Sequence, residues 1–275
     1  MKPQDCEEIT SPAEALEVAS RLAGPGNYVA SLAFRGQAAF EWGAIPGIYR
    51  TSPFFDKSIA RPNSINDYVT GIHAYESIFV EKFFQRAQIH LNNPERGFAS
   101  DRILAQHFGV PTRLLDWTTN PLVALYFAVS DPQHEGKDGS FYFLHVANRY
   151  GHRMPTEDQL KAHKKKNDMW MIDPPYIDQR IPAQSAKLTF HTIDEKATAF
   201  TPLEEQEFEP GKHRLQKFRI PSRAKGTIYR ELLQIGVDHT ASSRTCKGWA
   251  NRCAGISCCG PTNPPNGPRG LCGKS

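Results

Sequence analysis

The run Gln106-His107-Phe108-Gly109-Val110-Pro111-Thr112-Arg113-Leu114-Leu115-Asp116-Trp117-Thr118-Thr119-Asn120-Pro121, continuing into Leu122-Val123-Ala124-Leu125-Tyr126-Phe127-Ala128, decides how this chain is read. Gly109 suits the left-handed residue that stops a helix, and Asn120 before Pro121 is an N-cap with proline at the first helical position. The stretch predicts a helix end, a rigid polar turn and a capped apolar helix whose buried stripe is Leu122, Leu125, Tyr126 and Val129. Five hydrogen-bonding side chains, His107, Thr112, Arg113, Asp116 and Thr118, lie between the two apolar helices. Buried polar groups must be paired, and Arg113 and Asp116 are natural partners within the run. The motif fixes a shape, a ligand, or both.

Working outward, Ser11 and Pro12 open a short helix with Ala15, Leu16 and Ala19 on its apolar face. Residues Tyr28 to Phe34 alternate as a strand that runs into Arg35-Gly36-Gln37, and Gly43 to Ala60 reads as loop. Ile72, Tyr75, Phe79 and Phe83 recur at helical spacing and predict an amphipathic helix over 66–90; Ser100 caps a second one ending at Phe108. Gly139 to Val146 is apolar on both faces, which predicts a central strand. Arg149 to Tyr176 is charged and partly helical in pattern, an insertion. Arg180 to His191 and Leu215 to Ile220 alternate as strands, and Ile228 to Ile235 is a helix stopped by Gly236. Without a βαβ rhythm the fold class is α+β: one mixed-sheet domain with packed helices, strands 28–34, 140–147 and 184–191 sharing a sheet.

The chain has 275 residues, enough for one large domain or two small ones, and no run of 18 apolar residues that would predict a membrane helix. Its N-terminus lacks the apolar stretch of a signal peptide, so a cytoplasmic location is expected. The net charge is +4, but Arg244 to Ser275 holds five Lys or Arg and no acid; the rest has 28 basic and 29 acidic residues, a balance of −1. A near-neutral body argues against a dedicated nucleic-acid surface. Five of six cysteines lie in that tail, with no C-x-x-C pair, and the histidines show no ligand spacing, so no metal is expected. From Gly255 onward nine of 21 residues are Gly or Pro, which predicts a disordered or non-native tail over 244–275. There is no Gly-x-Ser-x-Gly, Walker loop or Gly-x-Gly-x-x-Gly.

The residues Phe34-Arg35-Gly36-Gln37, the spacing Trp42-x-x-x-Pro46-x-x-Tyr49-Arg50 and the run from Gln106 to Ala128 resemble the FRG-domain family, named for its Phe/Tyr-Arg-Gly opening. Arg180-Ile181-x-Ala183-Gln184-x-x-x-x-Thr189-x-His191 is similar to a third, weaker block. The resemblance spans roughly residues 15 to 240 and implies a bacterial, phage-associated neighbourhood with no defined reaction. The family continues after its last helix with an acidic Pro-Asp-Leu stretch; here the chain turns into Thr240-Ala241-Ser242-Ser243.

Strand-Arg-Gly also resembles the first motif of ADP-ribosyltransferases, whose arginine holds the pyrophosphate of NAD. Thr118-Thr119 before Pro121 is similar to their hydroxyl motif, while Gln184 stands where the third motif carries a catalytic glutamate; Glu205-Gln206-Glu207 has the right spacing but reads as a solvated loop. What the resemblance implies is a nucleotide ligand, NAD first, with Arg35, His107 and Gln184 as catalytic candidates. Arg35, Gly36, Gln37, Arg113, Asp116, Trp117, Thr118 and Thr119 are the ligand-binding candidates, expected to converge in one polar cleft. Each also has a structural alternative. Arg35 pairs with a carboxylate such as Asp116 instead of gripping a phosphate, Gly36 admits a ligand to the backbone, His107 caps carbonyls instead of acting as a base oriented by Asp116, and Trp117 anchors the core instead of stacking on a base. The competing function is a non-catalytic module that senses a nucleotide or a partner protein.

Overall fold

A computed structural model of the chain describes residues 6–24, 32–50, 67–87, 96–146, 168–174, 186–194, 197, 199–208 and 213–238. They belong to the first of two units, Met1–Thr245; the second, Cys246–Ser275, and with it the expected tail, lies outside the described residues.

Six strands form one sheet in the order β4-β5-β2-β1-β3-β6. They are β1 (Leu32–Gln37), β2 (Leu114–Thr118), β3 (Gly139–Val146), β4 (Asp168–Ile172), β5 (Ala186–Thr192) and β6 (His213–Ile220). All five pairings are antiparallel, and Glu8 adds a parallel bridge to Arg219 of β6. The helices are α1 (Pro12–Ala23), the single turn α2 (Gly47–Arg50), α3 (Asp67–Ala87), α4 (Phe98–His107), α5 (Pro121–Val129) and α6 (Ser222–Gln234). This is the α+β domain the sequence predicts, with the described parts of the three expected strands in one sheet; their residues 28–31, 147 and 184–185 lie outside the described residues.

Local chemistry sets the boundaries. Ser11 accepts from the Glu14 amide at the start of α1, and Asn120 accepts from the Leu122 amide at the start of α5, each with proline at the head of its helix. Gly109 and Gly236 hold φ values of 88° and 80° just past α4 and α6, the left-handed stops that favour glycine. Several expectations are corrected, among them the loop over 43–60, in which Gly47–Arg50 form a helical turn. The polar turn at 114–118 is a strand inside the sheet, five residues long and too short for alternation to reveal. Ser100 lies inside α4, bonding the Gly97 carbonyl, and Gly97 takes the cap position. Residues 168–172, within the supposed insertion, form edge strand β4. In α1, Val18 and Leu22 take the buried positions, and Leu16 is exposed.

Each face of the sheet has its own core. On one, Leu32, Phe34, Phe141, Phe143, Phe218 and Ile220 pack beneath α1, α5 and α6, with the Phe34 ring centroid 5.7 Å from Phe141 and 5.8 Å from Phe143. On the other, Ala33, Leu115, Trp117, Tyr142, Leu144, Met169 and Met171 gather under Leu203. The sheet curls around this second core. Although β4 and β6 are its opposite edges, Asp168 Oδ1 lies 3.7 Å from His213 Nε2, with both side chains buried.

Helix α5 lies so close to β1 that a Cβ added to Gly36 would meet the Ala124 carbonyl oxygen at 1.8 Å. The glycine therefore serves helix-on-sheet approach, and the carbonyl occupies the space an approaching ligand would need. Overpacking ordinarily costs about 1–3 kcal/mol, and a backbone atom cannot swing aside, so Gly36→Ala should destabilise the domain by about 3 kcal/mol in denaturant unfolding. Gly226→Ala in α6, where the nearest atom is 4.0 Å away, should instead stabilise it by up to about 1 kcal/mol.

Candidate functional site

β1 pairs with β3 along Leu32 to Gln37 but with β2 only at Phe34↔Thr118. Past that pair the two strands part, and Arg35 spans the opening: its Nη1 donates to the Asp116 carbonyl oxygen at 2.7 Å. The partner is the backbone of Asp116 and not its carboxylate. Arg35 Nε is buried and has no hydrogen-bond partner among the described residues, and neither has Oε1 of Gln37, two residues along the same face of β1. Gln37 Nε2 donates to the Gly43 carbonyl at 3.3 Å. Burial, followed by the nearby Arg50 charge, lowers the Arg35 pKa to about 10, against the attraction of Asp116, Tyr142 and Glu204. Arg50 sits at the end of α2, which is held to the motif by the Ile48 amide donating to the Thr112 carbonyl at 3.1 Å. Arg50 donates through Nε to the Ile45 carbonyl at 2.5 Å, and its charge acts on Arg35.

The Asp116 side chain is solvent-exposed yet fixed. Gln106 Nε2, at the end of α4, donates to its Oδ1 at 2.7 Å, and the Thr112 hydroxyl donates to Gln106 Oε1. Thr112 also accepts from the Leu114 amide at 3.2 Å. Asp116 therefore belongs to a relay with Gln106, and no ion pair with Arg113 forms.

Arg113 is committed elsewhere. Glu76, wholly buried in α3, accepts from the Arg113 amide at 2.7 Å, from Arg113 Nε at 2.9 Å and Nη2 at 2.8 Å, and from Arg102 Nε at 2.8 Å. Arg102 also donates to the Phe98 carbonyl and lies 3.7 Å above the Phe98 ring. Burial alone would raise the Glu76 pKa, but the Arg113 and Arg102 charges and the Arg113 hydrogen bonds hold it below the ordinary carboxylate range. The sequence places Arg113 in a ligand cleft; the structure makes it part of the joint between α3, α4 and β2.

Trp117 is buried on the inner face of the curl, where its Nε1 donates to Thr189 Oγ1 at 2.7 Å and Thr189 shares a 2.7 Å bond with His191 Nε2. Burial and then the His213 charge lower the His191 pKa to about 3, so the imidazole is neutral. Thr118 accepts from the Asn120 amide at 3.1 Å and shapes the entry to α5; Thr119 immediately precedes that cap. His107 closes α4, edge-on to Phe108 with ring centroids 5.4 Å apart, while Asp116 is engaged by Gln106. Gln184 lies outside the described residues, two positions before β5 begins.

Sequence reasoning missed Glu76, Arg102 and Glu204 and gave no site role to Arg50. Glu204 accepts from the Ala44 amide at 2.9 Å and from Lys217 Nζ at 2.9 Å; the Tyr142 hydroxyl lies 2.9 Å from the same Oε1. Those donors, with the Lys217 charge, outweigh burial and depress the Glu204 pKa. Its neighbours Glu205 and Glu207 are exposed, as a solvated loop requires. The expected single cleft is thus divided: Arg35 rests on the Asp116 backbone, while Asp116 bonds with Gln106 and Thr112, Arg113 with Glu76 and Arg102, and Trp117 with Thr189 and His191. Among the described residues no three His, Cys, Asp or Glu side chains have metal-binding geometry, and no helix is long and apolar enough to cross a membrane.

Residues 30–137 match the family model of the FRG domain. No curated protein and no solved structure matches the chain.

Glu76→Gln strands two buried guanidinium groups and should cost about 3–5 kcal/mol in denaturant unfolding. Because the folded pKa of Glu76 lies below its unfolded value, its contribution is present above the ordinary glutamate range and is lost as pH falls through the lowered value. The variant should therefore lose less stability than wild type on acidification. His191 acts at higher pH. Its depressed pKa means the unfolded chain binds a proton that the fold refuses, so below about pH 6.5 it removes up to about 1.4 kcal/mol per pH unit. His191→Gln, which keeps an acceptor for Thr189, should flatten the stability profile between pH 6.5 and 4 by about that slope, read from urea midpoints.

Proposed function

We propose that this chain, which carries an FRG domain over residues 30–137, binds a nucleotide by its phosphates at the β1–β2 opening, with NAD as the first candidate. The observation that carries the reading is the buried Arg35 Nε, without a hydrogen-bond partner among the described residues, as is Gln37 Oε1 on the same face of β1, with the Arg50 charge acting on Arg35. Buried polar atoms are rarely left without partners, and a guanidinium with an open edge beside a second cation suits a phosphate, which takes two parallel N–H bonds.

The reaction class this arrangement favours is ADP-ribosyl transfer. Thr118 pairs with both Phe34 and Ala186, so the strand arginine, the Thr118-Thr119 helix entry and the start of β5 stand side by side at one end of three adjacent strands. In such a transfer the bond from ribose C1′ to nicotinamide breaks, nicotinamide leaves with the electron pair, and an acceptor nucleophile bonds to C1′ and gives up its proton. Arg35 and Arg50 would hold the pyrophosphate, and an anionic group near C1′ would stabilise the positive charge that develops there. Two observations favour the non-catalytic alternative, a nucleotide sensor. Gln184 replaces the glutamate of the ADP-ribosyltransferase pattern, and Glu204, whose charge acts on Arg35, is already occupied by Ala44, Lys217 and Tyr142.

Calorimetric titration of the full chain with NAD separates these readings. Binding that Arg35→Ala weakens about ten- to a hundredfold supports the cleft, because a lost charged hydrogen bond has that magnitude. Nicotinamide release by wild type but not by Arg35→Ala makes the protein a transferase or glycohydrolase, and binding without release makes it a sensor. If neither NAD nor any other nucleotide binds, the cleft is architectural.

A further inference from the structure

We infer that Asp116 reads a ribose hydroxyl of the nucleotide whose phosphates rest on Arg35 and Arg50; the inference builds on the phosphate site just proposed and names what lies next to it. An exposed aspartate is ordinarily free to rotate, and nothing in folding requires it to be held. Here two side chains, from α4 and the loop after it, fix it. Thr112, from the loop after α4, donates to Gln106 Oε1, which leaves the Gln106 amide nitrogen to donate to Asp116 Oδ1 at 2.7 Å on β2. The relay determines which way the glutamine amide points and which carboxylate oxygen is occupied. Among the described residues only Gln106 donates to this carboxylate, so Oδ2 keeps its accepting capacity.

The position suits a sugar. The backbone carbonyl of the same residue receives Arg35 Nη1 at 2.7 Å, and the Asp116 charge acts on both Arg35 and Arg50. A ligand that neutralises two guanidinium groups and also donates a hydrogen bond to a neighbouring carboxylate must carry an anion and a hydroxyl a few bonds apart. A ribose 5′-phosphate ester has that pattern, whereas inorganic phosphate and pyrophosphate offer no such hydroxyl. Glu204, the other carboxylate within range of Arg35, is engaged through both oxygens, which leaves Asp116 as the open acceptor. A carboxylate beside a phosphate site also repels bare anions. Asp116 therefore selects for the hydroxyl and against the anion that lacks it.

The test titrates ADP, 2′,3′-dideoxy-ADP and pyrophosphate into the full chain and into Asp116→Ala and Asp116→Asn, with thermal melting to confirm that each variant is folded. Asn keeps the size and the contact to Gln106. Wild type should prefer ADP to dideoxy-ADP by about ten- to a hundredfold, the range of a hydrogen bond to a charged group. Both variants should lose that preference, while pyrophosphate binds them as well as or more tightly than wild type. Equal affinity of wild type for ADP and dideoxy-ADP overturns the inference, as does a variant that weakens all three probes alike. If NAD still binds in an Arg35-dependent manner in either case, the phosphate site stands and only the ribose reading falls. If wild type binds none of NAD, ADP and pyrophosphate, both fall together.

Discussion

One buried carboxylate joins parts of the chain that sequence keeps far apart. Glu76 in α3 receives the Arg113 backbone amide, the Arg113 guanidinium and the Arg102 guanidinium, and so ties the middle of a long helix to the middle of the next and to the start of a strand inside the sheet. Desolvating three ions is costly, and a well-packed apolar cluster of the same volume would often be as stable. What an apolar cluster would not supply is register. The two Glu76 oxygens accept from groups in fixed directions, so β2 can begin at Leu114 in only one way, and the register of β2 fixes where Asp116 and Trp117 point.

The polar motif divides its labour by strand geometry. Successive residues of β2 point to opposite faces, so Asp116 reaches the exposed side by Gln106 while Trp117 enters the core of the curl and bonds to Thr189. Arg35 lies on a neighbouring strand and meets neither side chain; it uses the Asp116 backbone as a spacer. A single run of sequence thereby contributes to a structural joint, a core anchor and a carboxylate held at the surface.

Local signals were legible in the sequence and long-range ones were not. The caps at Ser11 and Asn120, the stop at Gly109 and the strand Gly139–Val146 follow from groups within a few residues of one another. Sequence proximity pairs Arg113 with Asp116 because both lie in one run, whereas its partner is 37 residues upstream, at a helical position among Ile72, Tyr75, Phe79 and Phe83, where apolar spacing hides a charge. β2 escaped because five residues are too few for alternation and because its polar side chains suggested a turn. Arg35 and Gln37 stand out in the sequence as polar residues at the end of an apolar strand, and Gly36 between them admits a helix. Glu204 was passed over in an acidic stretch where its neighbours are solvated, since nothing local marks which of several glutamates turns inward.

The curl of the sheet has a bearing on how copies of this protein behave toward one another. An open antiparallel sheet ends in two strands with unsatisfied amide and carbonyl rows, each a template on which another chain can add a strand. Here β4 and β6 bend toward each other until Asp168 and His213 approach across the gap, and Glu8 bridges to Arg219 along β6. A curved edge with a charged residue at its head makes a poor template for a flat incoming strand. The shape that gathers Trp117, Met169 and Met171 into a core also hinders edge-to-edge self-association.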